Sequence, residues 1–356
     1  MTRSTVSVVR MFRLVFSVGV AALIGSLAVS AGTVTIDMVT VGNPGNANDT
    51  GGTNNGAVAY SYQIGKYDVT IGQYASFLNA VDPNGTNPNG IYNSSMATDL
   101  NIAGISYTSG ASTGSKYAVI SNGGNSSNRP ITYVSWFDAA RFANWMTNGQ
   151  GGGDTETGAY TLNGATRGNA VAANPGAAFR LPTNDEWYKA AYYSPNYGGV
   201  GVAGYYAYAT QSNTAPGNQI GGTANQANYN NGLYSVTQEA SYSASQNYLT
   251  DVGAFSGSGS FYGTFDQSGN VFQWNDLDGL ASSGSSRGLR GGYWNYNDPF
   301  NFSSSFSISI APSLEAGAVG FRLASPVAVP EPSTYCMALA GLACGGYSLF
   351  HRRKRA

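Results

Sequence analysis

Histidine and cysteine are almost missing from this 356-residue chain: the one histidine is His351, the two cysteines are Cys336 and Cys344, and all three fall in the last 21 positions. Everything before them is without imidazole or thiol. That excludes Ser-His-Asp triads, cysteine nucleophiles, haem or iron–sulfur ligation, and zinc, copper or iron sites built on His or Cys. No disulfide can staple the body. Charge is scarce too, at 10% of residues, against roughly 25% in an average soluble domain. Residues 32–329 hold ten basic side chains against 17 acidic ones, so they carry no basic footprint and no nucleic acid is expected as partner. Glycine is plentiful, at 48 residues, and so is tyrosine, at 25 against 15 phenylalanines. Carboxylates, hydroxyls, amides, Tyr, Lys and Arg are the chemistry that remains.

Both ends have the form of targeting segments. Arg3, Arg10 and Arg13 lead into an apolar run from Leu14 to Val29, with small residues at Ala28, Ser30 and Ala31. That order reads as a secretory signal over 1–31, cleaved after Ser30 or Ala31. An uncleaved anchor is the alternative, although the run is short for a span. At the other end, Val329-Pro330-Glu331-Pro332-Ser333 precedes an uncharged segment, 334–350, and a basic tail over 351–356 that begins His351-Arg352-Arg353-Lys354-Arg355. Seventeen residues at ~1.5 Å each reach about 25 Å, the short limit for a transmembrane helix. The basic tail would stay in the cytoplasm and leave the body outside. This tripartite end, 329–356, resembles the PEP-CTERM sorting signal of Gram-negative bacteria that make extracellular polysaccharide. The resemblance implies an exosortase that recognises Pro330, Glu331 and Pro332. It also implies an inner-membrane anchor before processing, and release to the cell surface or extracellular matrix afterwards. A plain C-terminal anchor is the alternative.

Polar Gly/Asn/Ser stretches at 43–56, 83–95, 121–128, 148–176, 194–226 and 255–260 separate short patterned segments. Three of these read as helices with a matched start. Thr70 is followed by Gln73, then Tyr74, Phe77, Leu78 and Val81; Ser135 by Asp138, then Phe142, Trp145 and Met146; Thr183 by Glu186, then Trp187, Ala190 and Ala191. Each has the capping-box form, in which the hydroxyl and the later acid or amide satisfy free N–H groups of the first turn. Thr33–Val41, Tyr60–Tyr67, Tyr117–Ile120, Val271–Trp274, Gly288–Trp294 and Val319–Leu323 read as brief strands. Few helices, short strands and long polar loops predict an irregular α+β domain over 32–328. The Tyr and Asn of those loops suit contact with sugar or protein, or simply an uncharged exported surface.

Six blocks stand out in order. They are Tyr62-Gln-Ile-Gly-Lys-Tyr-Asp-Val-Thr70, Pro130-Ile-Thr-Tyr-Val-Ser-Trp-Phe-Asp-Ala139, Arg180-Leu-Pro-Thr-Asn-Asp-Glu-Trp187, Asp266-Gln-Ser-Gly-Asn-Val-Phe-Gln-Trp274, Arg290-Gly-Gly-Tyr-Trp294 and Gly320-Phe-Arg322. Together they resemble the formylglycine-generating enzyme (sulfatase-modifying factor) family over about 35–325. The resemblance implies a variant of the C-type-lectin-like fold, with little regular structure and a core held by Trp and buried Arg. The residues point the same way. Arg180, Arg290 and Arg322 stand beside apolar neighbours in a charge-poor chain, the setting of a buried guanidinium that donates to carboxylates or loop carbonyls. Trp136, Trp187, Trp274 and Trp294 read as core anchors, and Glu186 as a helix cap.

The chain departs from the family where the chemistry is done. The family's oxidases hold copper on a cysteine pair between the last two blocks. Here that interval, Asn295–Val319, contains Phe302-Ser-Ser-Ser-Phe306 and no cysteine. A serine hydroxyl is a hard, neutral ligand and cannot replace a thiolate on Cu(I). The related iron-dependent sulfoxide synthases need histidines that this body lacks, so neither copper nor iron is expected. A calcium site carries over better. Asp266, the carbonyls of Gly269 and Val271, and Gln273 form one implied ligand set; Asn228 and the carbonyl of Tyr229 form a second. Such oxygens suit a hard cation. Gln273 stands where the family has Glu, however, which removes a negative charge, and a metal-free loop closed by Asp266 hydrogen bonds is the alternative.

The expectation is therefore a catalytically degenerate member, a surface or matrix module that presents loops to exopolysaccharide or to surface proteins. Two enzymatic readings stand beside it. One is the parent formylglycine-generating oxidation of a sulfatase through some other ligand set. The other is glycan hydrolysis by a carboxylate pair, with Asp185/Glu186 or Asp276/Asp278 available and the second pair expected to be solvated.

Overall fold

The capping boxes set where the helices begin. In α1 (Ile71–Val81), Thr70 Oγ1 accepts from the Gln73 N–H at 3.3 Å, and Gln73 Oε1 accepts from the Thr70 N–H at 2.8 Å. α2 (Ser95–Thr98) is a single turn. α3 (Trp136–Thr147) repeats the reciprocal cap between Ser135 and Asp138, and α4 (Asn184–Tyr192) between Thr183 and Glu186. Each cap satisfies two N–H groups that a helix start otherwise leaves open. α3 is buried all round from Trp136 to Met146, so the core is built about it rather than beside it. Phe77 of α1 meets Phe142 and Trp145 of α3 edge-on, each at 5.4 Å between ring centroids.

The structure is a computed structural model that describes residues 33–168, 171–277 and 286–326. The signal-like 1–31 and the sorting segment 329–356, with Pro330, Glu331, Pro332 and the 334–350 run, lie outside the described residues. No helix among the described residues is long and apolar enough to cross a membrane.

Eleven strands follow in chain order: β1 (Met38–Val41), β2 (Tyr62–Gly65), β3 (Ile105–Tyr107), β4 (Tyr117–Val119), β5 (Tyr193–Ser194), β6 (Gly204–Tyr205), β7 (Phe272–Asn275), β8 (Arg287–Arg290), β9 (Ile308–Ile310), β10 (Val319–Gly320) and β11 (Ala324–Pro326). β1-β2-β11 make an antiparallel sheet that joins the first and last parts of the domain, with Ala324 opposite Ile64. β10-β7-β8-β9 make the second sheet, parallel only between β10 and β7. β3 with β4 and β5 with β6 form two small antiparallel pairs.

The described residues form a mixed α/β domain, where the pattern predicted an irregular α+β one, and the strands are shorter than expected. Gly288–Trp294 ends as a strand at Arg290, because Gly291 and Gly292 turn the chain at φ +100° and +68°. There a side chain on Gly292 would meet Phe302 at 3.1 Å. β3, β5, β6, β9 and β11 were not foreseen; two or three residues are too few to show alternation.

Candidate functional site

The three arginines singled out by the sequence are bolts of the interior. Arg180 grips both oxygens of Glu186, Nη1 to Oε2 at 2.6 Å and Nη2 to Oε1 at 2.5 Å. The Thr183 N–H and the Tyr60 hydroxyl donate to the same carboxylate, each at 2.9 Å. Arg322, fully buried, donates to Gln273 Oε1 and the Phe265 carbonyl at 2.7 Å, to the Gly65 carbonyl at 2.9 Å and to Asp68 Oδ1 at 3.2 Å. Arg290 has no carboxylate partner among the described residues. It donates to Asn184 Oδ1 at 2.5 Å, the Phe306 carbonyl at 2.9 Å and Thr53 Oγ1 at 3.1 Å, and lies 4.8 Å over the Tyr188 ring. Trp136, Trp187, Trp274 and Trp294 are all buried. The indole N–H of Trp187 donates to Gln273, and that of Trp274 to the Val134 carbonyl. Trp294 stacks on Tyr248 at 4.7 Å.

Of the four carboxylates in the two pairs, Asp185, Glu186 and Asp276 are described, and each accepts hydrogen bonds from the fold. Four donors hold Glu186, and Asp185 accepts from the Gly56 N–H at 2.7 Å. Asp276, expected in solvent, is buried instead: Trp136 Nε1 and the Tyr160 hydroxyl donate to it at 2.7 Å, and Arg287 Nε stands 3.5 Å away. Burial outweighs the pull of Arg287 and pushes its carboxyl up to about 6. Its side chain is needed to satisfy an indole and a phenol in the core. Asp278 lies outside the described residues.

The two implied calcium sets are neighbours. Asn228 and Gly269 form a parallel backbone bridge. Several of their groups already have partners in the surrounding fold. Asn228 Nδ2 donates to the Tyr248 carbonyl and to Asn270 Oδ1, both at 2.9 Å, and the Tyr229 carbonyl accepts from Ser235 Oγ at 3.0 Å. Asp266 sits at φ +60° and accepts from the Gly253 N–H at 2.7 Å; burial pushes its carboxyl up to about 6. Gln273 Oε1 takes two donors, and Gln273 Nε2 donates to the Asp266 carbonyl at 2.8 Å. With Gln273 Oε1 filled by two donors and its N–H turned to Asp266, the set that includes Gln273 does not fit calcium.

A different place offers a surface. Ser304 and Ser305, from the interval that carries cysteines in the oxidases, form one wall of a cleft of about 620 Å³. The β5–β6 hairpin forms another, with Tyr193 directly opposite Tyr205 and their rings 5.2 Å apart. Tyr197, in the loop between those strands, is 38% exposed, and its hydroxyl accepts from Asn213 Nδ2 at 2.8 Å. The third wall is the loop Asn46–Gly51. Asn46 Nδ2 donates to the Tyr205 hydroxyl, which donates to the Ala47 carbonyl, both at 2.7 Å. Asp49 Oδ2 accepts from the Tyr188 hydroxyl at 2.7 Å. Burial raises the Tyr205 phenol, which stays a neutral donor. Tyr197 and Tyr205, held by hydrogen bonds at their hydroxyls, and Tyr193, packed against the Tyr205 ring, make a polar cleft with aromatic walls, with amide, hydroxyl and one carboxylate between them. None of its tyrosines was singled out in the sequence. The signal that could have found them was the pair of polar stretches, 43–56 and 194–226, which the fold brings together here. A second cavity of equal volume, lined by Asp37, Asp68, Thr70, Gln73 and Asp251, has only Tyr67 as an aromatic wall.

Residues 14–327 match the sulfatase-modifying factor enzyme 1-like domain, and the chain belongs to that family. Among solved structures it is similar to Treponema denticola variable protein 1, at 18% identity and TM-score 0.46 over 83% of this chain and 97% of that one. It is similar to CarF at 20% identity and TM-score 0.43, over 82% and 99% of the two chains. It is also similar to PvdO from Pseudomonas aeruginosa, at 17% identity and TM-score 0.40 over 82% and 94%. No curated protein sequence matches the chain.

Proposed function

We propose that this family member binds rather than oxidises, and that the cleft between β5–β6, Asn46–Gly51 and Ser304–Ser305 holds a saccharide of an extracellular polysaccharide. The observation that carries the reading is the exchange of chemistry at one place. Hydroxyls of Ser303, Ser304 and Ser305 stand in the interval that holds cysteines in the oxidases, and tyrosine rings and carboxamides line the cleft beside them. Sugar rings offer apolar C–H faces to aromatic rings and hydroxyls to amides and carboxylates, which is the complement of such a wall. The two ends of the chain support the rest of the reading: export through the N-terminal signal, an inner-membrane anchor at 334–350, processing by an exosortase at Pro330-Glu331-Pro332, and a final place at the cell surface or in the matrix. Surface proteins are the second class of partner for the same loops. The parent oxidation and glycan hydrolysis lack residues suited to them, since thiol and imidazole are absent from the body and Glu186 and Asp276 are committed to structure.

Calorimetric titration of the purified protein with a panel of bacterial exopolysaccharides tests this. Saturable binding of at least one, weakened tenfold or more by Tyr197→Ala, is expected. A flat response across the panel, or binding that ignores Tyr197, overturns the assignment of the cleft.

A further inference from the structure

The loop from Asp266 to Gln273 closes on itself through one carboxamide. Gln273 is fully buried. The Trp187 indole N–H and the Arg322 Nε–H both meet the same terminal atom of its side chain, each at 2.7 Å. Both groups can only donate, so that atom is the carbonyl oxygen and its two lone pairs are filled. The other terminal atom is the amide nitrogen, and it donates to the Asp266 carbonyl at 2.8 Å. The orientation of the amide is thus fixed by its neighbours.

A hard cation is held by several oxygens with free lone pairs, commonly including a carboxylate that supplies charge. A glutamate at this position would keep its second oxygen turned towards Asp266. Glutamine turns an N–H there instead, and the positive end of that dipole repels a cation. Asp266 is the one carboxylate of the loop, and it already accepts from Gly253. Among the described residues no group of three or more acidic, His or Cys side chains could hold a metal. The backbone is tight as well: a side chain on Gly269, at φ +82°, would meet the Asn228 carbonyl oxygen at 2.3 Å.

We infer that this loop is latched without metal, and that Gln273 is the residue that makes the fold independent of calcium. The carboxamide ties the loop to α4 through Trp187 and to the Arg322 cluster behind β10. A glutamate would trade that neutral latch for a site with charge enough to take calcium.

The test is made on the full chain. Thermal melting in excess chelator and in millimolar calcium is expected to give the same Tm for the native sequence, and terbium titration is expected to show no sensitised, calcium-displaceable emission. A calcium-dependent rise of several degrees, or stoichiometric terbium emission that calcium removes, overturns the inference. Gln273→Glu is expected to gain a Tm rise in calcium that the native chain lacks. If that variant folds and still ignores calcium, Gln273 is not the determinant and the inference falls. If it fails to fold, the native chain's melting and terbium titration decide alone, each able to overturn it.

Discussion

The interior around Glu186, Gln273 and Arg322 and the cleft around Tyr197 use polar groups in opposite ways. In the interior, both oxygens of Glu186 and both terminal atoms of Gln273 have partners at fixed positions, and neither residue is exposed. In the cleft, hydrogen bonds hold the hydroxyls of Tyr197 and Tyr205 while Tyr197 and the Asn46–Gly51 loop keep a face to solvent. The difference teaches how a chain with 10% charge organises itself. Its scarce arginines go to joining irregular loops, where five donors in a plane can reach several carbonyls at once. The cleft, by contrast, is lined by neutral side chains apart from Asp49. Losing a bolt should therefore damage stability, and losing a cleft residue should damage only binding.

The sharpest way to break that contrast is at Arg322. Its guanidinium ties the Gly65, Asp68, Phe265 and Gln273 segments together, and a lysine ammonium cannot reach them all. Arg322→Lys is expected to leave some of these buried acceptors without a donor, at about 1–3 kcal/mol each, read from the urea midpoint. A cost below about 1 kcal/mol, the size of an exposed pair, would show that the bolts are no more structural than the surface.

Proton uptake separates the same two regions. Burial pushes the carboxyl of Asp68 up to about 8, that of Asp138 up to about 7 and those of Asp266 and Asp276 up to about 6, from an ordinary 3.8. A carboxyl raised in the folded state contributes stability that is complete below its unfolded pKa and is lost as pH rises through the folded value. Asp82, held low by the Tyr117 hydroxyl and the Thr86 and Asn87 N–H groups against its own burial, has the opposite sign, and its contribution disappears as pH falls below 3.8. Lys189, drawn down to about 8 by burial, contributes above pH 10.5 and loses that contribution as pH falls through 8. Tm should therefore peak between about pH 4 and 5 and fall by several degrees towards pH 8. The cleft contains none of the raised carboxyls, so Asp138→Asn should lessen the fall without altering ligand binding. A Tm constant over that range would refute the burial argument.

The interior was legible in the sequence because its signals are local or chemically loud. A Thr or Ser three residues before Gln, Asp or Glu marks a helix start on its own, and all three marked starts are real. Arg and Trp in a charge-poor chain announce burial, since little else could satisfy them. Asp276 was misread because acids two apart resemble a solvated strand end. Nothing local shows that Trp136 and Tyr160, 140 and 116 positions away, need its oxygens. The cleft was illegible for the same reason on a larger scale. Tyr193 and Tyr205 sit on two-residue strands, too short for any periodicity, and Asn46 and Ser304 join them from the two ends of the domain. The fate of Gln273 lay between these cases: the loss of charge was visible, but the direction of its amide depends on Trp187 and Arg322.

At the first turn of α4 the two regions are a few residues apart, which gives a finer comparison. Thr183→Ala removes the hydroxyl that accepts from the Glu186 N–H at 3.1 Å but leaves the carboxylate clamp on Arg180 in place. A loss of about 1 kcal/mol is expected, measured by denaturant unfolding, with saccharide affinity unchanged. A loss as large as that of Arg322→Lys would mean that the cap, not the clamp, positions Glu186.

Tyr197→Ala carries the smallest expected change in stability and the largest in binding. The ring is partly exposed, and the one hydrogen bond of its hydroxyl, from Asn213, lies at the surface. It does pack edge-on against Tyr206 at 4.9 Å, so some contact is lost, but no buried polar group is orphaned. Surface changes of this kind stay within about 0.5 kcal/mol. Because Tyr193 and Tyr205 are tied to the β5–β6 pair and to Asn46, the cleft should keep its remaining walls after the truncation. A tenfold loss of saccharide affinity at unchanged unfolding midpoint would place recognition on the tyrosine face itself. A matching drop in both would instead make Tyr197 another bolt, and the division between a fixed interior and a binding surface would have to be redrawn at the β5–β6 loop.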